Sequence, residues 1–143
     1  MRGAMGAMAL MLAVPVLAQE QTGYTTAENP FQAEYAFVAG QPIVLKVSIQ
    51  AVDFDSLTLT AEPASGETVA CTVSLDGTNQ SDGKVTVTGV LLLEDDKGHA
   101  LERLTMPLFK VKAGRQFARR EALELQAPTL TAAAKVYLFL KVE

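Results

Sequence analysis

From residue 43 onward the chain repeats one pattern, an apolar side chain at every second position with Thr, Ser or a charge between. Ile43, Leu45, Val47 and Ile49 fall on one side of an extended backbone, and Val44, Lys46 and Ser48 on the other. Leu57, Leu59 and Ala61 alternate with Thr58 and Thr60; Val69, Cys71, Val73 and Leu75 repeat the pattern, as do Val85, Val87, Gly89, Leu91 and Leu93. Successive side chains of a strand point to opposite faces, so this period predicts half-buried antiparallel strands. A helix would bring its apolar positions back at intervals of three and four instead.

Turn residues separate the runs. Glu62-Pro63-Ala64-Ser65-Gly66 closes one strand, and residues 76–83, from Asp76-Gly77 to Asp82-Gly83, read as the longest polar loop. Asp95-Asp96-Lys97-Gly98 joins two long strands as a hairpin, with Gly98 free to take a positive φ. Pro107 is expected to split the returning strand into 101–106 and 108–112, as at a switch between sheets. Ala113-Gly114 turns the chain again. In residues 117–125, Phe117, Leu123 and Leu125 fit a strand, while Ala118-Arg119-Arg120-Glu121-Ala122 tolerates a short helix; the strand is the favoured reading. Residues 135–142 are apolar on both faces, Val136, Leu138 and Leu140 against Tyr137 and Phe139. Such a strand belongs inside a sheet, because exposed at an edge it invites aggregation. Residues 19–32 are polar and turn-rich without a period, and read as an extended lead-in or linker.

About seven to eight short strands with regular turns predict an all-β, antiparallel β-sandwich over residues 33–143. Residues 84–125 run as long strand, Asp-x-x-Gly hairpin, return strand with proline, Ala-Gly turn and further strand. That order resembles the immunoglobulin-like modules of bacterial exported proteins. The resemblance covers about a third of the chain beyond residue 18 and rests on turn spacing. It implies an immunoglobulin-like sandwich and carries no functional residue across. The Cys-Trp-Cys core of antibody domains is absent, since the sequence has no Trp.

The first eighteen residues have a different grammar. Met1-Arg2 gives a positive start, Gly3 to Leu17 carry no charge, and Val16-Leu17-Ala18 offers small or β-branched residues before a cut at Gln19. This is the layout of a secretory signal peptide over residues 1–18. The run is shorter than the roughly 20 apolar residues of a spanning helix and contains Pro15, so no membrane span is expected after cleavage. The expected location is periplasmic or extracellular. The single cysteine, Cys71, excludes an intramolecular disulfide and lies in phase with Val69 and Val73, where it packs as a small hydrophobe. No cysteine stands at the cleavage point to accept a lipid anchor.

Charge is divided along the chain: residues 19–96 carry twelve acids and two bases, and residues 97–143 nine bases and four acids. Either the folded surface is dipolar, or strands from the two halves interleave and mix the charges. The densest feature is basic, with Lys110, Lys112, Arg115, Arg119 and Arg120 within eleven residues. Lys110 and Lys112 alternate with Phe109 and Val111, which puts both on one solvent-facing side. Together the five bases suit an anionic polymer such as a cell-wall glycan or a lipopolysaccharide phosphate. Lysines guarding an edge strand against pairing account for the same residues more simply.

Signals for catalysis are absent. His99 is the only histidine and follows a turn glycine, and there is no Gly-x-Ser-x-Gly, His-Glu-x-x-His or phosphate-binding glycine loop. Asp53 and Asp55, and Glu94-Asp95-Asp96, are loop carboxylates of the kind that hold Ca2+ in some sandwiches; the 76–83 loop adds Asp76, Asn79 and Asp82 but does not match a calcium-loop register, with Val87 where a bidentate acid would stand. No catalytic residue, metal site or cofactor is therefore assigned. The sequence reading is an exported, non-catalytic β-sandwich that acts by binding or assembly at the cell envelope. Its partner is an envelope protein, an anionic cell-surface polymer or another copy of itself, and not nucleic acid, given export and net acidity. A secreted enzyme of unidentified class and a small outer-membrane β-barrel are the alternatives.

Overall fold

Alternation becomes burial. Leu45, Val47, Ile49, Leu57, Leu59, Val69, Cys71, Val73, Leu75, Val85, Val87, Leu91 and Leu93 all turn into the core, as the period-two reading expects. The computed structural model describes residues 23–143, so the leader expected over 1–18 lies outside the described residues. Within them the strands are β1 (Thr25–Thr26), β2 (Phe31–Ala36), β3 (Ile43–Ile49), β4 (Val52–Ala61), β5 (Thr68–Asn79) and β6 (Val85–Glu94). β7 (Ala100–Val111), β8 (Gln116–Gln126), a six-residue helix α1 (Ala127–Ala132) and β9 (Lys135–Val142) complete the order.

The strands form two sheets, β1-β3-β4-β5-β8 and β2-β9-β6-β7. All pairings are antiparallel except the two-residue contact of β1 with β3. Phe54, Leu57 and Leu75 of the first sheet and Leu91, Leu93 and Leu138 of the second are almost completely removed from water. Each side chain of that size stabilises the fold by about 1.5–3 kcal/mol through burial. The architecture is an all-β sandwich, and the expected likeness to immunoglobulin-like modules holds at the level of two packed, largely antiparallel sheets. An outer-membrane barrel would need one closed sheet, whereas here β8 and β7 are open edges on the same side of the sandwich.

Several local expectations are met. The 117–125 segment is strand, β9 lies between β2 and β6, and Gly98 and Gly114 take φ of 84° and 73° in their turns. Others need correction. Pro107 does not divide the returning strand: β7 is continuous, and its register against β6 shifts between Val87 and Gly89, so that Pro107 and Leu108 stand opposite Thr88. A bulge on an edge strand is where a residue without an N–H donor costs least. The polar loop expected over 76–83 is shorter, because β5 runs on through Asp76, Gly77 and Thr78 to Asn79. Asp53 and Asp55 sit on β4 rather than in a loop, flanking the fully buried Phe54. The described part of the lead-in is extended, but it is built into both sheets: Thr25 pairs with Val47, and Phe31 and Gln32 open β2. α1 had no signal in the period-two reading; Pro128 fits its first turn, and Leu130 packs on the core.

Candidate functional site

The basic segment lies where the chain passes from one sheet to the other. β7 ends at Val111, residues 112–115 turn, and β8 begins at Gln116. The turn is fixed from beneath by Asn79, which is completely buried. Its amide nitrogen donates to the carbonyls of Val111 (3.0 Å) and Gly83 (2.8 Å), and its Oδ1 accepts from the Ser81 backbone N–H (2.9 Å) and hydroxyl (2.7 Å). The Asn79 backbone donates to Arg115 O (2.9 Å) and accepts from Gly114 N–H (2.8 Å). One residue thus ties the end of β5, the 80–84 loop and the β7–β8 turn together.

An open groove of about 350 Å3 runs beside this turn, lined by Lys110, Lys112, Arg115 and Arg119, with Phe109 and Phe117 at its base. Phe117 meets Phe54 edge-to-face with centroids 5.7 Å apart, and Phe109 at 5.4 Å. The Phe117 ring also covers Gly77, its cross-strand partner, where an added Cβ would lie 2.5 Å from the ring. Arg119 stacks its guanidinium 5.5 Å over the Phe109 ring and pairs with Glu121 at 2.6 Å. Its buried Nε has no hydrogen-bond partner among the described residues. Lys110, Lys112 and Arg115 are exposed and make no ion pair among the described residues.

Of the five bases picked out in the sequence, four therefore converge. Arg120 does not join them: on β8 it points to the opposite face from Arg119, into a second depression with Asp55 and Asp76. There its Nη1 donates to Ala118 O at 3.2 Å. The roles of the two aromatic rings and of Asn79, which the sequence offered only as a loop oxygen, escaped the sequence reading. Phe109 and Phe117 were legible as alternating apolar positions, but their meeting across two sheets was not.

The carboxylates weighed for Ca2+ do not come together as one group, although Asp55 and Asp76 share a depression. Asp53 and Asp55 lie near the Asn79 end of the sandwich, while Asp95 and Asp96 cap the β6–β7 hairpin at the other. Among the described residues no group of three or more His, Cys, Asp or Glu could hold a metal ion. Asp55 is engaged otherwise, accepting from the Tyr24 hydroxyl and pairing with Lys46 at 3.3 Å, and Lys46 in turn sits 4.8 Å over the Tyr24 ring. Asp95 folds the hairpin by accepting the N–H groups of Lys97 and His99, each at 2.9 Å. The exposed His99 ring lies 3.3 Å from the same carboxylate. Cys71 is buried, which pushes its thiol pKa up.

No protein-family model matches this chain, and no curated protein matches it. Among solved structures, 50% of the chain is similar to 7% of a beta-glucuronidase from glycoside hydrolase family 2, at a TM-score of 0.43 and 18% identity. The likeness spans a small fraction of that enzyme and adds nothing to the account of the groove. Among the described residues no helix is long and apolar enough to cross a membrane.

Proposed function

We propose that this chain is an exported, non-catalytic binding module that grips an anionic cell-envelope polymer through the groove at the β7–β8 corner. One observation carries the reading: Lys110, Lys112 and Arg115 stand around a shared groove without carboxylate partners, beside an Arg119 held in place by Phe109 and Glu121. Unpaired cations over an apolar base favour a ligand that brings negative charge and some ring or alkyl surface, as phosphorylated or uronic glycans do. The lining offers cations, an amide and rings, a set suited to holding an anion rather than to moving a proton.

Retention on an anionic cell-envelope matrix tests the proposal. The chain is expected to bind at low salt and elute as exposed charges are screened at higher ionic strength. Lys110→Ser, Lys112→Ser and Arg115→Ser combined should abolish retention, while Arg120→Ser, on the other face, should leave it close to the parent. Equal retention of the triple variant removes the proposal. In that case Lys110 serves to guard the open edge of β7, and the triple variant should aggregate more readily instead.

A further inference from the structure

The outer face of the four-stranded sheet carries an apolar centre that the groove does not use. Val90 and Leu92 of β6 lie beside Phe139 and Tyr137 of β9, all four only half-buried, and with Arg103 they line a trough of about 230 Å3. The register arranges this face in rows across the strands. One row reads Glu34, Tyr137, Leu92, Arg103 from β2 to β7; the next reads Gln32, Phe139, Val90, Thr105; a third places Lys135 beside Glu94.

From these rows we infer that the outer face of the β2-β9-β6-β7 sheet is a self-complementary surface on which a second copy of this chain docks face to face. A two-fold axis along the strands, between β9 and β6, reverses every row onto itself. Glu34 then meets the partner's Arg103, Tyr137 meets the partner's Leu92, Phe139 meets the partner's Val90, and Lys135 meets the partner's Glu94. Opposite charges fall on opposite charges at the rim, and rings fall on aliphatic side chains at the centre. This is the isologous arrangement that two-fold interfaces require, with a packing of two sheets near-aligned within about 30°.

The monomer leaves these charges unsettled. Arg103 makes no ion pair among the described residues. Glu94 Oε1 is buried with no hydrogen-bond partner among them. The Glu34 carboxyl lies against Glu94 through a side-chain hydrogen bond and raises its pKa, with burial adding to the rise and Lys135 opposing it. A partner copy brings two further cations to this pair of carboxylates. Strand spacing gives the face a footprint of roughly 19 by 17 Å, below the ~800 Å2 per partner of a standard interface, so the association is a weak, transient one that rests on charge and shape match rather than on area.

Sedimentation velocity of the purified chain over a concentration series tests the inference. The parent should pass from monomer to dimer as the concentration rises. Arg103→Glu sets like charges against Glu34 of the partner and should weaken the dimer by roughly tenfold or more, as should Glu34→Arg. The double exchange Glu34→Arg with Arg103→Glu should restore it, which a misfolded chain could not do, and circular dichroism of each variant checks the fold directly. A chain that stays monomeric up to about 1 mM overturns the inference. So does a dimer indifferent to Arg103→Glu, or a double exchange no better than either single variant.

Discussion

Replacing Asn79 by alanine removes the one buried polar side chain that joins three segments at the groove. The Val111 carbonyl, which also faces Val85 across the β6–β7 ladder, loses its 3.0 Å side-chain donor, a bond that contributes about 0.5–1.5 kcal/mol. The bonds to Gly83 and Ser81 contribute about 1 kcal/mol each, less what water recovers on the more exposed side of the loop. The expected loss is about 3 kcal/mol, a large fraction of the 5–15 kcal/mol typical of a domain. At this chain length that is roughly a 10 °C fall in Tm. Asn79→Asp keeps the size and the oxygen that accepts from Ser81 but offers no donor, and sets a carboxylate oxygen against the two carbonyls, so it should be worse than alanine at neutral pH. Urea denaturation followed by circular dichroism measures both variants. A loss below about 1 kcal/mol for Asn79→Ala, or an Asn79→Asp variant as stable as the parent, would refute the view that this amide is the clamp.

Two further outcomes follow from single contacts. Gly77→Ala places a Cβ 2.3 Å from the Asp53 carbonyl and 2.5 Å from the Phe117 ring, so β4 or the ring must move; an overpacking loss of about 1–3 kcal/mol is expected in the same urea assay, and an unchanged midpoint would contradict the geometry. The Asp95 carboxyl is held below its usual range chiefly by the His99 backbone N–H, and also by that of Lys97. Its stabilisation is therefore present above the ordinary carboxylate pKa of about 3.9 and lost as pH falls through the lower folded value. Asp95→Asn should be less stable than the parent at pH 7, and the difference should close in acid; a gap of equal size at both pH values would count against the hydrogen bonds as its source.

Arg119 and Arg120 show how far the sequence reading of the site could go. As adjacent residues they looked like one patch, and period two alone says that a strand must send them to opposite faces. The undecided point was strand against helix for 117–125, and pairing with β5 along its full length settles it. Asp53 and Asp55 show the reverse error: two acids around one Phe read as a loop, but Phe54 is the largest fully buried side chain of the core and carries both acids into a strand. Tertiary burial of one ring outweighed the local preference of its neighbours for turns.

The sequence by itself determined which residues face inward, where most turns fall, and that β9, apolar on both sides, must lie inside a sheet. These follow from side-chain alternation and turn chemistry, which act over a few residues. Only the tertiary structure decided which strands far apart in the chain are neighbours. β5 pairs with β8, and β6 with β9, across stretches of chain whose order along the backbone does not specify sheet membership. Those long-range pairings bring β7 and β8 to the same open side and so gather four of the five bases into a groove. They also set Leu92 beside Tyr137, turning two ordinary apolar runs into one half-buried patch. The physical reason is that hydrophobic burial rewards any arrangement that covers the inner faces, whereas the outer faces acquire their chemistry from whichever strand happens to be adjacent.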